Sequence, residues 1–430
     1  MRAEPSAPPH ETAAVRPRIV IDGLFFQFHR TGIARVWKSY FEQWAATPFA
    51  SNLVILDRGR TAPRIPGLSY RDVPAFQADE SSREMLQLEA WCQDLKADLF
   101  ISTFYSTPIQ TRSVVMIYDM IYEMQSDGMK KDWAEEEKSF AILHASHLVT
   151  ISHNTARDVR AFYPHLAEKD FSVVHCGVDP VFRPAAQGRV EAVKKNFGLT
   201  KPYFLLVGTR IGIRGYKNAM FPFRTLDRMT ECANFQIACV GGEPALGELT
   251  AFGRVSAHLL PHVSEEDLIA LYSGAEALVY PSRYEGFGLP LIEAMACGCP
   301  VITCPNGSIP EVAGDAALFV EDDDDAAMAR AMLLVGDPSV RQELRAKGFT
   351  RAALFSWKTA ADALARLLLQ AATLPEKPAG ETQIWKEMRE RDRRLAPLVQ
   401  LGRSVPRRRL KIKIGGYSLH LGLARAPRQS

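Results

Sequence analysis

No stretch of this 430-residue chain approaches the roughly 20 apolar residues that carry a helix across a bilayer, which argues against a helical integral membrane protein. Cysteine is scarce. The seven, at positions 92, 176, 232, 239, 297, 299 and 304, are an odd number scattered among apparent strands and helices, as buried reduced thiols are, and no disulfide framework emerges. Cys297 and Cys299 form CxC, but no second ligand pair follows at a zinc spacing and HExxH is missing, so no metal is expected. The lack of GxxxxGK[ST] removes the P-loop, and no GxGxxG follows a strand. The first fifteen residues, MRAEPSAPPHETAAV, have no apolar core of the kind a secretory signal carries; residues 1–16 read as a disordered leader.

What is present is ordinary in amount: 47% hydrophobic and 23% charged residues, typical of a globular protein long enough for two domains. Charge is distributed unevenly. Residues 386–430 hold 13 Lys and Arg against 3 Asp and Glu, which leaves 39 against 46 in the remainder and turns a net +3 into an acidic body with a basic tail. Such a tail suits an anionic membrane surface, an acidic partner or nucleic acid. Nucleic acid is disfavoured by the acidic body and by the absence of interleaved aromatic residues in the tail.

Apolar runs of strand length alternate with helix-period segments from Arg18 to His175, among them RIVI, NLVIL, LFIST, VVMIY, HLVTI and FSVVH. Buried strands alternating with helices predict a parallel sheet covered on both faces. The pattern loosens through PVFRPAAQG, a candidate linker, and then restarts with YFLLVG, FQIACVGG, ALVYPS and PVITC. The expectation is an α/β chain of two doubly wound, Rossmann-like domains facing each other across a cleft. Its boundaries are a leader at 1–16, an N-terminal domain at 17–182, a C-terminal domain at 183–356, a last helix at 357–372 and a basic extension at 373–430. Within the extension, KIKIGGYSLHL reads as a hairpin about Gly415-Gly416. Ser264-x-x-Asp267 reads as a helix cap, and the EDDDD run at 321–325 as a solvated turn that caps the next helix.

Ligands of such folds gather at the carboxyl ends of strands. ALVYPS runs into RYEGFGLPLIEAMACG, where Pro290 marks a helix's first turn and Gly286 and Gly288 occupy the strand-to-helix turn. The backbone N–H groups of Phe287, Gly288 and Leu289 at that helix start suit a phosphate, with Gly286 allowing the ligand close to the backbone. Glu293 can accept from two vicinal hydroxyls, as acidic residues hold ribose, while Glu285 faces the other end of the same ligand. GTRIGIRGYKN, after YFLLVG, offers Arg210, Arg214 and Lys217 to a diphosphate. In the first half, Thr31-Gly32-Ile33 opens another helix, and Tyr118-Asp119 ends a strand at a cleft-facing position, although Asp119 also suits a turn cap.

The run from Val263 to Val320, VSEEDLIALYSGAEALVYPSRYEGFGLPLIEAMACGCPVITCPNGSIPEVAGDAALFV, resembles the C-terminal domain of the retaining glycosyltransferases of family GT4, marked by E-x7-E. TGIARVW, TISHNTARDV, CGVDPVF and VGTRIGIRGYKN resemble other landmarks in the same order, so the likeness spans about residues 17–371. The resemblance implies a GT-B fold in which residues 17–182 bind the acceptor, residues 183–356 bind a nucleotide-sugar and the helix 357–372 crosses back to the first domain, and it implies transfer of a hexosyl group, mannosyl or similar, with retention. The donor implied is a nucleotide-sugar carried on GDP or UDP, and the acceptor is a saccharide or lipid-linked oligosaccharide in bacterial surface polysaccharide assembly. It further implies that Glu285 lies against the donor sugar and Glu293 on the ribose. Phe287, Gly288 and Leu289 would meet sugar and phosphate by their backbone, Arg210 and Lys217 the diphosphate, and Gly32 the loop that closes over the phosphates. No cofactor or metal is implied, and the expected setting is the cytoplasm, with the basic tail suited to peripheral docking on the inner face of the cytoplasmic membrane. Where many members have histidine this chain has Tyr118, which leaves Asp119 as the candidate to position the sugar. A sugar phosphorylase of the same fold is the alternative activity.

Overall fold

The structure, a computed structural model, describes residues 16–28, 32–77, 81–124, 133–166, 169–210, 215–243, 245, 247–374, 386–387, 389–391, 393–394, 411–414 and 417–420. The leader up to residue 15, Thr31 and Arg214 therefore lie outside the described residues. β1 (Ile19–Asp22), β2 (Leu53–Arg58), β3 (Ser69–Val73), β4 (Leu99–Ser102), β5 (Ser113–Ile117), β6 (His147–Thr150) and β7 (Asp170–Val173) form one parallel sheet in the order 3-2-1-4-5-6-7. Ile19 sits opposite both Leu53 and Leu99, so β1 is an interior strand of the sheet. β8 (Tyr203–Val207), β9 (Gln236–Val240), β10 (Ser256–Leu260), β11 (Ala277–Tyr280), β12 (Val301–Thr303) and β13 (Leu318–Phe319) form a second parallel sheet, ordered 10-9-8-11-12-13. Every residue of β1, β4, β5, β9 and β11 is buried, because helices cover both faces.

The helix Ile33–Ala45 shows how pattern becomes packing. Trp37, Tyr40, Phe41 and Trp44 recur at helical spacing and are all buried. Their face receives the final helix, Trp357–Ala372, which returns to the first sheet. Trp357 meets Tyr40 edge-on at 5.5 Å, Trp44 Nε1 donates to Ala361 O at 3.0 Å, and Arg112 donates to Ala371 O at 2.8 Å. Where the chain leaves for the second sheet and where it comes back, the two crossings touch: Val178 N donates to Phe355 O. A Cβ on Gly177 would stand 2.1 Å from Trp357 N, so only glycine permits this approach.

Four short elements depart from the sequence-based expectation. PVFRPAAQG reads as linker, yet the helix Gln187–Asn196 starts inside it and docks on the second sheet's helix Glu265–Gly274 through Arg189 and Asp267 at 2.6 Å. β3, the helix Ile309–Ala313 and β13 are too short or too polar to show a period, and backbone pairing or tertiary contact forms them. The caps are as expected: Ser264 accepts from Asp267 N and Asp324 from Ala327 N. Lys411–Ile414 and Tyr417–His420 pair antiparallel as a hairpin. Arg391 of the extension pairs with Glu136 at 2.8 Å and Glu137 at 3.1 Å, on the helix Trp133–His144.

Candidate functional site

In the second sheet the strand order reverses between β8 and β11, so the loops leaving their carboxyl ends part to opposite faces and open a crevice. The β8 loop brings Lys217; the β11 loop brings Glu285 and ends at Gly288. Gly288 precedes the helix Leu289–Ala296 with φ of +95°, and Pro290 occupies that helix's first turn. Ser308 holds the β11 loop from behind, donating both its N–H and its hydroxyl to Glu285 O at 3.1 and 2.9 Å. The Glu285 side chain is thereby aimed across the crevice.

There it meets the other loop. Lys217 Nζ lies 2.6 Å from Glu285 Oε1 and donates to Tyr280 Oη at 3.1 Å, with the rings of Tyr216 and Tyr280 near 5 Å. Burial opposes the ammonium charge, but Glu285, Tyr280 and Tyr216 outweigh it and hold the Lys217 pKa well above its ordinary value. Lys217 is therefore a fixed cation at neutral pH. Arg210 lines the same small cavity as Lys217, Tyr280 and Ser282. Its backbone N–H donates to Glu243, Nη1 donates to Gly241 O and Nη2 stands 3.8 Å from the Glu243 carboxylate, while among the described residues Nε, Nη2 and the buried Ser282 Oγ have no hydrogen-bond partner. Buried donors without partners are costly, and an anion would satisfy them once the lining loops part, since the cavity of about 20 Å³ holds about one water as it stands.

Glu293 is buried on the helix that Gly288 opens. Both its oxygens are engaged: Oε1 with Arg35 Nη2 at 2.6 Å, and Oε2 with the Tyr272 hydroxyl at 3.2 Å. Arg35 belongs to the helix Ile33–Ala45 of the first domain, whose start is Gly32 at φ +58°. The Gly32 helix start and the Glu293 helix thus face each other, bridged by an ion pair between domains. A ribose on Glu293 would have to displace or share Arg35.

Two expectations about the first-domain side need correction. Tyr118 does not present its side chain to the cleft: the ring is buried, and its hydroxyl accepts from Trp37 Nε1 at 2.5 Å and donates to Thr103 O at 2.9 Å. An aromatic ring after β5 lowers its free energy more by joining the apolar core than by facing water. Gly286, expected to admit a ligand, instead admits the other domain, because a Cβ there would lie 1.7 Å from Tyr118 O and 3.0 Å from Asp119 Cβ. Asp119 stands in the cleft beside Gly286, where Oδ1 accepts from Ile121 N at 3.1 Å, a turn cap. Phe287 contributes backbone to the turn while its ring packs edge-on against Phe355 at 5.5 Å. Leu289 is the first residue of the helix.

Residues to which the motifs gave no individual role hold this geometry. Tyr284 donates to Asp158 at 2.6 Å and accepts from Met120 N at 3.2 Å, both in the first domain. Lys138, buried, donates to Asp119 O at 2.6 Å and pairs with Glu123 at 2.7 Å, fixing the loop after β5. Tyr272, Tyr280 and Tyr284 had no role assigned from sequence; Tyr280 ends β11, Tyr284 lies in the loop beyond it and Tyr272 sits near the end of the helix Glu265–Gly274.

Residues 201–336 match the family model described as "Glycosyl transferases group 1". The chain is 47% identical over 100 residues to the O-antigen chain mannosyltransferase B of Escherichia coli, covering 23% of this chain and 26% of that protein. It is 24% identical over 330 residues to the alpha-maltose-1-phosphate synthase of Mycobacterium tuberculosis, covering 69% and 85%. The matched stretch spans about a quarter of the O-antigen mannosyltransferase and of the serotype-specific mannosyltransferase WbdA from the same organism. Among solved structures, the sucrose-phosphate synthase of Thermosynechococcus elongatus superposes with a TM-score of 0.66 at 19% identity, covering 83% of this chain and 99% of that one. WaaG, a glycosyltransferase involved in lipopolysaccharide biosynthesis, superposes with 0.64 at 15%, covering 81% and 99%. The fold is GT-B, and residues 201–336 match a group 1 glycosyltransferase domain.

Proposed function

We propose that this chain, with its group 1 glycosyltransferase domain, moves a hexosyl group from a nucleoside-diphosphate sugar to a saccharide or lipid-linked acceptor, with retention of configuration, in bacterial surface polysaccharide assembly. The observation that carries the proposal is the meeting of Lys217 and Glu285 at the reversal point of the second sheet, beside the buried guanidinium of Arg210, whose Nε and Nη2 have no hydrogen-bond partner among the described residues. Mannosyltransferases among the relatives support a mannosyl donor.

On this reading the diphosphate occupies the space between Arg210, Lys217 and the Gly288 helix start. The anomeric carbon–oxygen bond breaks, its electron pair goes to the β-phosphate oxygen, and the fixed cations stabilise that charge as it develops. The leaving phosphate takes the acceptor hydroxyl's proton while the acceptor oxygen bonds to the same face of the sugar. Glu285, released from Lys217 when the phosphate takes its place, accepts from the sugar hydroxyls, and Glu293 holds the ribose. Because Arg210 and Lys217 supply the positive charge, transfer is expected to need no metal and to survive EDTA.

Among the described residues no helix is long and apolar enough to cross a membrane. A lipid-linked acceptor would be met at the cytoplasmic membrane surface, with the basic extension beyond Arg394 facing anionic headgroups. Incubating the protein with GDP- and UDP-sugars tests the central reading: protection against heat by one nucleotide, and an acceptor product whose anomeric proton coupling matches that of the donor, are expected. Protection by inorganic phosphate alone would point to a phosphorylase, and an inverted product would remove the retaining scheme. Loss of vesicle binding on deletion of residues 395–430 is expected for the membrane role.

A further inference from the structure

The geometry points to a transition-metal site between the two domains, formed by His153, His175 and Glu311. β6 and β7 are neighbours, so the segments that follow them bring together two histidines from the first domain: His153 opens the helix His153–Phe162, and His175 lies just beyond β7. Glu311 comes from the second domain, on the helix Ile309–Ala313. One ligand atom from each residue lies within 4.8 Å of the others. Ligands about 2.0–2.2 Å from a tetrahedral metal stand roughly 3.3 Å apart. His175 Nε2 and Glu311 Oε1 are already 2.7 Å apart, so the main adjustment is a turn of the exposed His153 ring.

A simpler role accounts for part of this cluster. Glu311 accepts from His153 N at 2.8 Å, from Asn154 N at 2.9 Å and from His175 Nε2 at 2.7 Å, which clasps the second domain onto a first-domain helix start. That clasp makes no use of the His153 imidazole. Among the described residues the His153 ring has one aromatic contact, with His175 at 5.5 Å and 71°, and no hydrogen bond. A metal would use it.

Two imidazoles and one carboxylate suit borderline first-row dications such as Zn2+, and suit Mg2+ or Ca2+ poorly; a fourth position would be left for water. The site lies directly behind the donor turn: the Phe287 ring is 6.0 Å from His175, and Thr155 on the His153 helix reaches Gly286 O at 3.4 Å. A bound ion would therefore cross-link the two domains at the turn's back without entering the crevice.

The test uses the full chain, free of any histidine tag and stripped with EDTA, titrated with Co2+ and followed by visible absorption. Expected are one Co2+ per chain, a d–d band that Zn2+ abolishes and Mg2+ does not, and a thermal midpoint that rises with free Zn2+. His153→Ala should melt like the unaltered protein in EDTA, because the clasp remains, yet bind Co2+ at least about tenfold more weakly. Glu311→Gln should lose both the metal and part of the clasp. Absence of a Zn2+-displaceable band, or unchanged Co2+ affinity in His153→Ala, would overturn the assignment. Neither result depends on which sugar is transferred.

Discussion

Replacing Arg35 by alanine separates two readings of the Glu293 pocket. Glu293 is 3% exposed and Arg35 is 38% exposed, so their 2.6 Å pair lies between the buried and surface extremes. Breaking a fully buried pair costs ~3–5 kcal/mol and losing an exposed one under ~1; with solvent screening of Arg35, about 1–2 kcal/mol is expected here. Arg35→Ala should therefore melt earlier in the absence of ligand. If ribose hydroxyls use the oxygen that Arg35 now occupies, the same 1–2 kcal/mol no longer opposes donor binding. At ~1.4 kcal/mol per decade, GDP or UDP should then bind roughly tenfold more tightly. Calorimetry with each nucleotide and thermal unfolding without it measure the two effects, which have opposite signs. Weaker nucleotide binding by Arg35→Ala would make Arg35 a ligand of the donor, and an unchanged melt would mean the pair contributes nothing; either result refutes the competition argument.

Lys217→Ala removes a fixed cation from the leaving group and should cost about 3 kcal/mol of transition-state stabilisation, roughly a hundredfold in rate; near-normal transfer by folded protein would dismiss that role. Glu293→Ala is expected to weaken donor binding, and unchanged affinity by calorimetry would count against the ribose assignment. Gly286→Ala places a methyl group 1.7 Å from Tyr118 O and must part the domains, so small-angle scattering should report a more extended molecule and transfer should be lost; a wild-type scattering profile contradicts this. Burial raises the pKa of Glu89, but hydrogen bonds from Thr111 and Gln110 bring it below its ordinary value. A depressed carboxylate stabilises above its unfolded pKa of roughly 4.3 and loses that contribution as pH falls through the folded value, so Glu89→Gln should show a shallower acid loss in denaturant titrations. Parallel acid slopes for the two proteins would rule this out.

Much of the donor side was legible because its information is local. Alternation of buried strands with amphipathic helices follows from covering both faces of a parallel sheet, and a strand followed by Glu-Gly-Phe-Gly-Leu-Pro marks a helix start whose free N–H groups face outward. The N-caps at Ser264 and Asp324 were readable for the same reason: cap and capped N–H lie three residues apart. Pieces such as the five-residue β3, and the helix Gln187–Asn196 whose start is hidden in PVFRPAAQG, showed no clear period.

Contacts between residues far apart in the chain had no such signature. Arg35 reaches Glu293 across 258 positions, and Glu311 reaches His153 across 158. Gly286 illustrates the division between the two kinds of information. Its place in a strand-to-helix turn was written in its neighbours, whereas the partner that requires it to be glycine, the carbonyl of Tyr118, is supplied by the packing of one domain on the other. The sequence by itself determined the two sheets, the helix starts and the identities of the charged groups. Only the tertiary structure decided which charges pair in the crevice, because pairing depends on the distance between loops that separate strands hold in place.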